Sequence, residues 1–108
     1  MNDEMIYQTI AKQIKEVYGI TSLDSKTSIN SFNAVSEDND EFLRRFQKAF
    51  QVDMNGFNYY DFFYQDQFYF LAIVRMIMKL FRKEEEKSLL TIEHLINVAK
   101  NRKWTSPS

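Results

Sequence analysis

The chain has 108 residues, the size of one domain with a single core. Two Gly and one Pro are too few for many tight turns and favour long helices, while 44% hydrophobic and 27% charged residues exclude a disordered chain. Lys and Arg number 14 against 15 Asp and Glu, so no global charge points to nucleic acid, and the lack of cysteine removes disulfides, thiolate metal sites and a cysteine nucleophile.

Ile6, Ile10, Ile14 and Val17 recur at helical spacing, with Tyr7, Ala11 and Tyr18 beside them. The spacing predicts a helix over 3–18, started by Asn2 or Asp3 and closed by Gly19 in a left-handed cap. Residues 20–35, ITSLDSKTSINSFNAV, are rich in side chains that compete for backbone hydrogen bonds. They read as a long loop pinned to the core by Ile20, Leu23, Ile29, Phe32 and Val35. Loops of this length in a small domain are often functional.

Ser36 reads as the N-cap of a second helix over 37–51. Its stripe is Phe42, Phe46, Ala49 and Phe50, with Leu43 alongside. Glu37, Asp38, Asp40 and Glu41 suit the positive end of its dipole, and Arg44, Arg45 and Lys48 follow toward the other end. Asn55-Gly56 predicts a turn. The aromatic stretch 57–63, FNYYDFF, predicts a short helix or an irregular segment. A long helical pattern over 66–86 is apolar around most of its circumference, apart from a narrow basic stripe of Arg75, Lys79, Arg82 and Lys83. The last helix starts after Thr91 as N-cap, with Leu90 placed to staple onto Leu95. Ile92, Leu95, Ile96 and Ala99 form its stripe, and it should end near Asn101 with Trp104 folded back onto the body.

These elements imply an all-α single domain over 1–108. The opening Met1-Asn2-Asp3-Glu4 is acidic where a secretory signal is basic, and the apolar run at 68–74 is too short to span a bilayer. A cytoplasmic protein without stable membrane insertion is expected. His94, the sole histidine, stands in no recognisable catalytic constellation, so no enzymatic activity is expected.

The order of helix, long anchored loop and serine-initiated second helix resembles the acyl carrier proteins. The stretch SFNAVSEDNDEFLRRFQKAFQVD carries the resemblance: Ser36 falls on the serine that bears 4′-phosphopantetheine in that family. Glu41, Phe42 and Phe46 fall on acidic and apolar helix positions, and Phe50-Gln51-Val52 on the closing segment. The ending LLTIEHLINVAKNRKW is similar to that of an uncharacterised bacterial group related in fold to those carriers. The resemblance covers 3–52 and 88–104. It implies an acyl-carrier-like bundle with a long first loop and an extended aromatic-rich third and fourth helix region. It further implies Ser36 as the attachment position, and Glu37, Asp38, Asp40, Glu41, Arg44 and Arg45 as the surface that docks acyl-transfer enzymes.

Two positions depart from the pattern. Val35 stands where the family has Asp, and Glu37 where it has Leu; Arg44, Arg45 and Lys48 interrupt an otherwise acidic surface. Either the partners differ or Ser36 is never modified and caps a helix. The alternative function is an unmodified interaction module that binds a protein partner through its aromatic surface, as a monomer or weak homodimer.

Overall fold

The computed structural model describes residues 2–63 and 88–107. Among them the chain forms three α-helices: α1 (Asp3–Tyr18), α2 (Ser36–Phe50) and α3 (Ile92–Asn101). Single 3-10 turns at Ile29–Ser31 and Tyr59–Asp61 interrupt the connections. The helix expected over 66–86, with its basic stripe, lies outside the described residues.

The ends of α1 follow from its flanking residues. Asn2 Oδ1 accepts from the Met5 amide at 2.9 Å. Gly19, at φ 73, sends its own amide back to Lys15 O. At α3, three amides of the first turn find acceptors: His94 N donates to Thr91 Oγ1 at 3.1 Å, Ile92 N to Thr27 O and Glu93 N to Ser25 O, both at 2.9 Å. The predicted loop 20–35 therefore supplies part of the cap of a helix more than sixty residues away.

α2 begins one residue earlier than its serine suggested. Val35 takes the cap position with φ −71 and ψ 159, and its carbonyl accepts from Asp38 N and Asn39 N. A β-branched residue suits that extended backbone, and Ser36 becomes the first helical residue rather than the N-cap. Val35 itself is 52% exposed, so it is no core anchor. Of the other expected anchors, Ile29 is fully buried, while Ile20, Leu23 and Phe32 pack against the core rim. Helix α2 closes on Gln51 and α3 on Arg102, both left-handed. A non-glycine residue pays about 1–2 kcal/mol for that conformation.

The core joins Ile6, Ile10 and Ile14 of α1, Phe42, Phe46 and Phe50 of α2, and Ile92, Leu95, Val98 and Ala99 of α3. Ala49 is exposed and Ile96 half-buried, so the buried stripe of α3 runs through Val98 instead. Tyr18 meets Asn39, Gln13 meets Arg45, and Ile6 borders one cleft with Phe50, so α1 and α2 run antiparallel. Trp104 folds back as expected: it is 9% exposed, and its amide donates to Asp53 O at 2.8 Å. Asp53 in turn donates to Arg102 O at 3.0 Å. Phe57 and Phe62 stack on each other, and both meet Trp104 edge-on. Of the aromatics in 57–63, Phe62 and Phe63 are buried, and Phe57 and Tyr59 pack on the core rim.

Candidate functional site

The loop that delivers the chain to Ser36 is held at both ends. Tyr7 of α1 donates to Leu23 O at 3.2 Å, and Ile29 N donates to Leu90 O at 2.8 Å. Between them, Asp24 forms a local turn: its Oδ1 accepts from Lys26 N at 2.8 Å. Asn33, at φ 54, turns the backbone just before Val35. Ser36 then opens α2 half-buried, at the positive end of the helix dipole.

Asn39, one turn further on, is 4% exposed and polar. Its Oδ1 accepts from Tyr18 Oη at 2.8 Å, and its Nδ2 donates to Tyr59 Oη at 3.2 Å. The ring of Tyr18 lies edge-on to Phe32 and tilted against Phe42. Burial, then the negative charge of Asp38, push the Tyr18 phenol far above its ordinary value, which keeps it protonated as a donor. One polar chain thus links the end of α1, the first turns of α2 and the 59–61 turn.

The expected docking residues divide into two groups. Glu41, Arg44 and Arg45 come together: Arg44 grips both Glu41 oxygens, with its shortest contact at 2.7 Å, and Arg45 Nε donates to Glu41 at 2.8 Å. Arg45 also reaches Glu16 of α1 at 3.4 Å. Glu37, Asp38 and Asp40 join no ion pair among the described residues and stand near the helix start, with Glu37 and Asp40 exposed. Among the described residues no group of three or more His, Asp or Glu side chains is placed to hold a metal ion. No described helix is long and apolar enough to cross a membrane.

Hydrogen bonds from Arg44 and then Arg45 pull the Glu41 carboxyl down from 4.5 to about 2. A carboxylate with a depressed folded-state pKa stabilises above its unfolded pKa and loses that contribution as pH falls through the folded value. The window here is pH 4.5 to 2. The carboxylate and both arginines lie open to solvent over a third or more of their side-chain surface, so the contribution is small and screened by salt. Glu41→Gln is expected to flatten the dependence of stability on pH between those limits, and high salt should erase the difference from wild type. Acid titrations of both proteins by thermal melting, at low and high salt, check this.

His94 Nε2 donates to Thr105 O at 2.6 Å, and its ring lies edge-on to Trp104. This histidine fastens the C-terminal segment onto α3. A cleft of about 290 Å³ is bordered by Ile6, Ala49, Phe50, Gln51, Ala99, Lys100 and Arg102. It lies at the C-terminal end of α2, about 21 Å along the helix from Ser36. Lys100, on its rim, is paired with Asp3 at 3.2 Å.

Two residues that organise this region carry no motif. Asn39 hides within the acidic string SEDND. Asn30 binds four groups with one carboxamide: Nδ2 donates to Phe62 O and Ser88 O, and Oδ1 accepts from Ser28 Oγ and Leu90 N. No curated protein and no solved structure matches the chain. A family model does match residues 3–106, and the chain belongs to that family, described as a protein of unknown function (DUF1493).

Proposed function

We propose that this is a non-enzymatic, acyl-carrier-like protein that bears a phosphopantetheine arm on Ser36 and presents it to acyl-transfer enzymes. The observation that carries the reading is the place of Ser36. It is the first residue of α2, half-buried, at the end of a long loop pinned to the core. The N-cap, Val35, contributes no side-chain hydrogen bond to that helix end. A phosphodiester there would lie close to backbone N–H groups and the positive end of the dipole. The thiol at the tip of such an arm would supply the acyl-carrying group that a cysteine-free chain lacks.

A second reading, an unmodified interaction module, draws on the face of α2. Glu41 is engaged by both arginines, so the helix offers a mixed-charge surface in place of a purely acidic one. Such a surface selects a partner with alternating charge. Of the described aromatics, Phe57, Phe62 and Phe63 pack inward while Tyr60 is exposed, so the aromatic surface and the α2 face both stay open to a partner, and Tyr64, Phe68 and Phe70 lie outside the described residues.

Intact-mass measurement after co-expression with a phosphopantetheinyl transferase of broad specificity separates the two. The carrier reading expects wild type to gain the mass of one arm and Ser36→Ala to gain none. An unchanged wild-type mass sinks it and leaves the interaction module.

A further inference from the structure

The N-cap of helix α2, Val35, gives that end no side-chain hydrogen bond, and the candidate attachment residue stands on the first turn that follows. Capping side chains contribute about 1 kcal/mol to a helix end. Where the N-cap residue offers none, tertiary contacts carry more of the hold on the first turn. The contact in place here is unusual in chemistry. Asn39 is buried to 4% exposure, and its carboxamide is spent on two tyrosine hydroxyls from different elements. The Tyr18 hydroxyl comes from the last residue of α1, the Tyr59 hydroxyl from the first residue of the 59–61 turn. The same residue also donates its backbone amide to Val35 O at 3.2 Å. Asn39 therefore grips the helix start along its own backbone and ties it sideways to two separate supports. Both supports are themselves held by rings: Tyr18 against Phe32 and Phe42, and Tyr59 stacked on Phe63 at 4.7 Å.

A leucine at this position has the same branched outline and would add apolar packing, but it would make neither tyrosine bond. A buried amide is favourable only when its partners are fixed in place, because an unmet donor or acceptor there is costly. Its value over leucine is directional: it specifies one rotation and one height of the first turn. We infer that Asn39, acting through Tyr18 and Tyr59, is the positioning residue that sets the orientation of Ser36. This inference rests on the carrier reading for its functional consequence, while the hold on the helix start stands on the geometry alone.

The test uses the full-length protein and three variants. Asn39→Leu removes both bonds, whereas Tyr18→Phe and Tyr59→Phe each remove one hydroxyl and leave ring packing intact. Amide hydrogen exchange is followed at residues 36–40, and at 10–14 and 95–99 for reference. Loading of Ser36 is followed with coenzyme A and a broad-specificity phosphopantetheinyl transferase. The expected result is exchange about tenfold faster at 36–40, with the reference amides little changed. Loading should slow through kcat, with KM preserved because the Glu41–Arg44–Arg45 face is untouched. The two Tyr→Phe variants should follow Asn39→Leu in direction. Equal acceleration in all three helices, or none at 36–40, overturns the inference. A variant with faster local exchange but unchanged kcat also overturns it. A wild-type chain that takes up no arm sinks the carrier reading instead, and exchange then decides alone whether Asn39 holds the helix start.

Discussion

Phe46→Ala is expected to remove about 3–5 kcal/mol of unfolding free energy, the largest effect of any single truncation in α2. Phe46 is fully buried and sits between two other rings of its own helix: Phe42 at 6.2 Å and Phe50 at 5.3 Å. The three phenylalanines fall at successive i, i+4 positions and constitute almost the whole apolar contribution of α2 to the core. Removing the middle ring leaves a void walled by the large rings of Phe42 and Phe50, of which Phe42 is already held against Tyr18 of α1. Little collapse can fill it, which puts the cost toward the upper part of the range. A domain of this size has about 5–15 kcal/mol in all, so about a fifth or more of its stability would be lost. At about 4–8 °C per kcal/mol the melting temperature should fall by at least 12 °C. Trp104, the only tryptophan and a buried one, gives the fluorescence signal for the denaturant titration. A loss below about 1 kcal/mol would mean that α2 does not seat as described. Phe46→Leu, which keeps most of the volume, should cost clearly less.

How far the sequence carried this fold depends on where each signal lives. α1 and α3 are written in local chemistry. Isoleucines at helical spacing, an Asn or Thr before the first turn and a Gly after Tyr18 act within a few residues of one another. Their bounds could therefore be read directly. The end of α2 lies one residue from the expected 51, although Gln51, like Arg102 after α3, reaches the left-handed region without the glycine that usually announces a helix end. Its start was legible to within one residue. The serine signal was real but shared with its neighbour, because Val35 fits the extended cap backbone and leaves Ser36 inside the helix. Ala49 looked like stripe from its spacing alone, yet a residue at the margin of a helical face can fall to either side.

The candidate site was legible as a position and not as a construction. Ser36 can be found by its place after a polar loop. The pairing of Glu41 with Arg44 and Arg45 follows from i, i+3 and i, i+4 spacing. The supports of the site are nonlocal. Asn39 bonds residues 21 and 20 positions away, and Asn30 reaches residues 32, 58 and 60 positions away. In the sequence both are small polar residues among others of their kind, which ordinarily signals loop or solvent. Only the tertiary fold distinguishes a carboxamide that spans two elements from one that faces water. Gln13 poses the same problem in reverse. Its Nε2 donates to Arg45 O at 3.2 Å, while its buried Oε1 has no partner among the described residues.

Asn30→Ala is expected to cost about 2–4 kcal/mol, although the side chain is neither apolar nor fully buried. Its four hydrogen bonds join three stretches of chain: the loop at Ser28, the backbone at Phe62, and the backbone at Ser88 and Leu90. Ser88 N also donates to Asp61 O at 3.2 Å, so residues 61–62 and 88–90 meet at this carboxamide. Truncation strands three backbone groups and one hydroxyl at once. Water can reach some of them, which is why the estimate lies below the sum of four fully buried losses at about 1–3 kcal/mol each. The sign of the donor half can be isolated with Asn30→Asp. An aspartate keeps the acceptor for Ser28 and Leu90 but turns an oxygen toward the carbonyls of Phe62 and Ser88. At neutral pH it should therefore be at least as damaging as alanine. Below about pH 4 the protonated carboxyl regains one O–H donor, and part of the loss should return relative to wild type at the same pH. Denaturant titrations of the three proteins at neutral and acid pH measure this. If both variants lie within about 0.5 kcal/mol of wild type, water replaces those bonds without penalty and the meeting of the two stretches is held by the surrounding core alone.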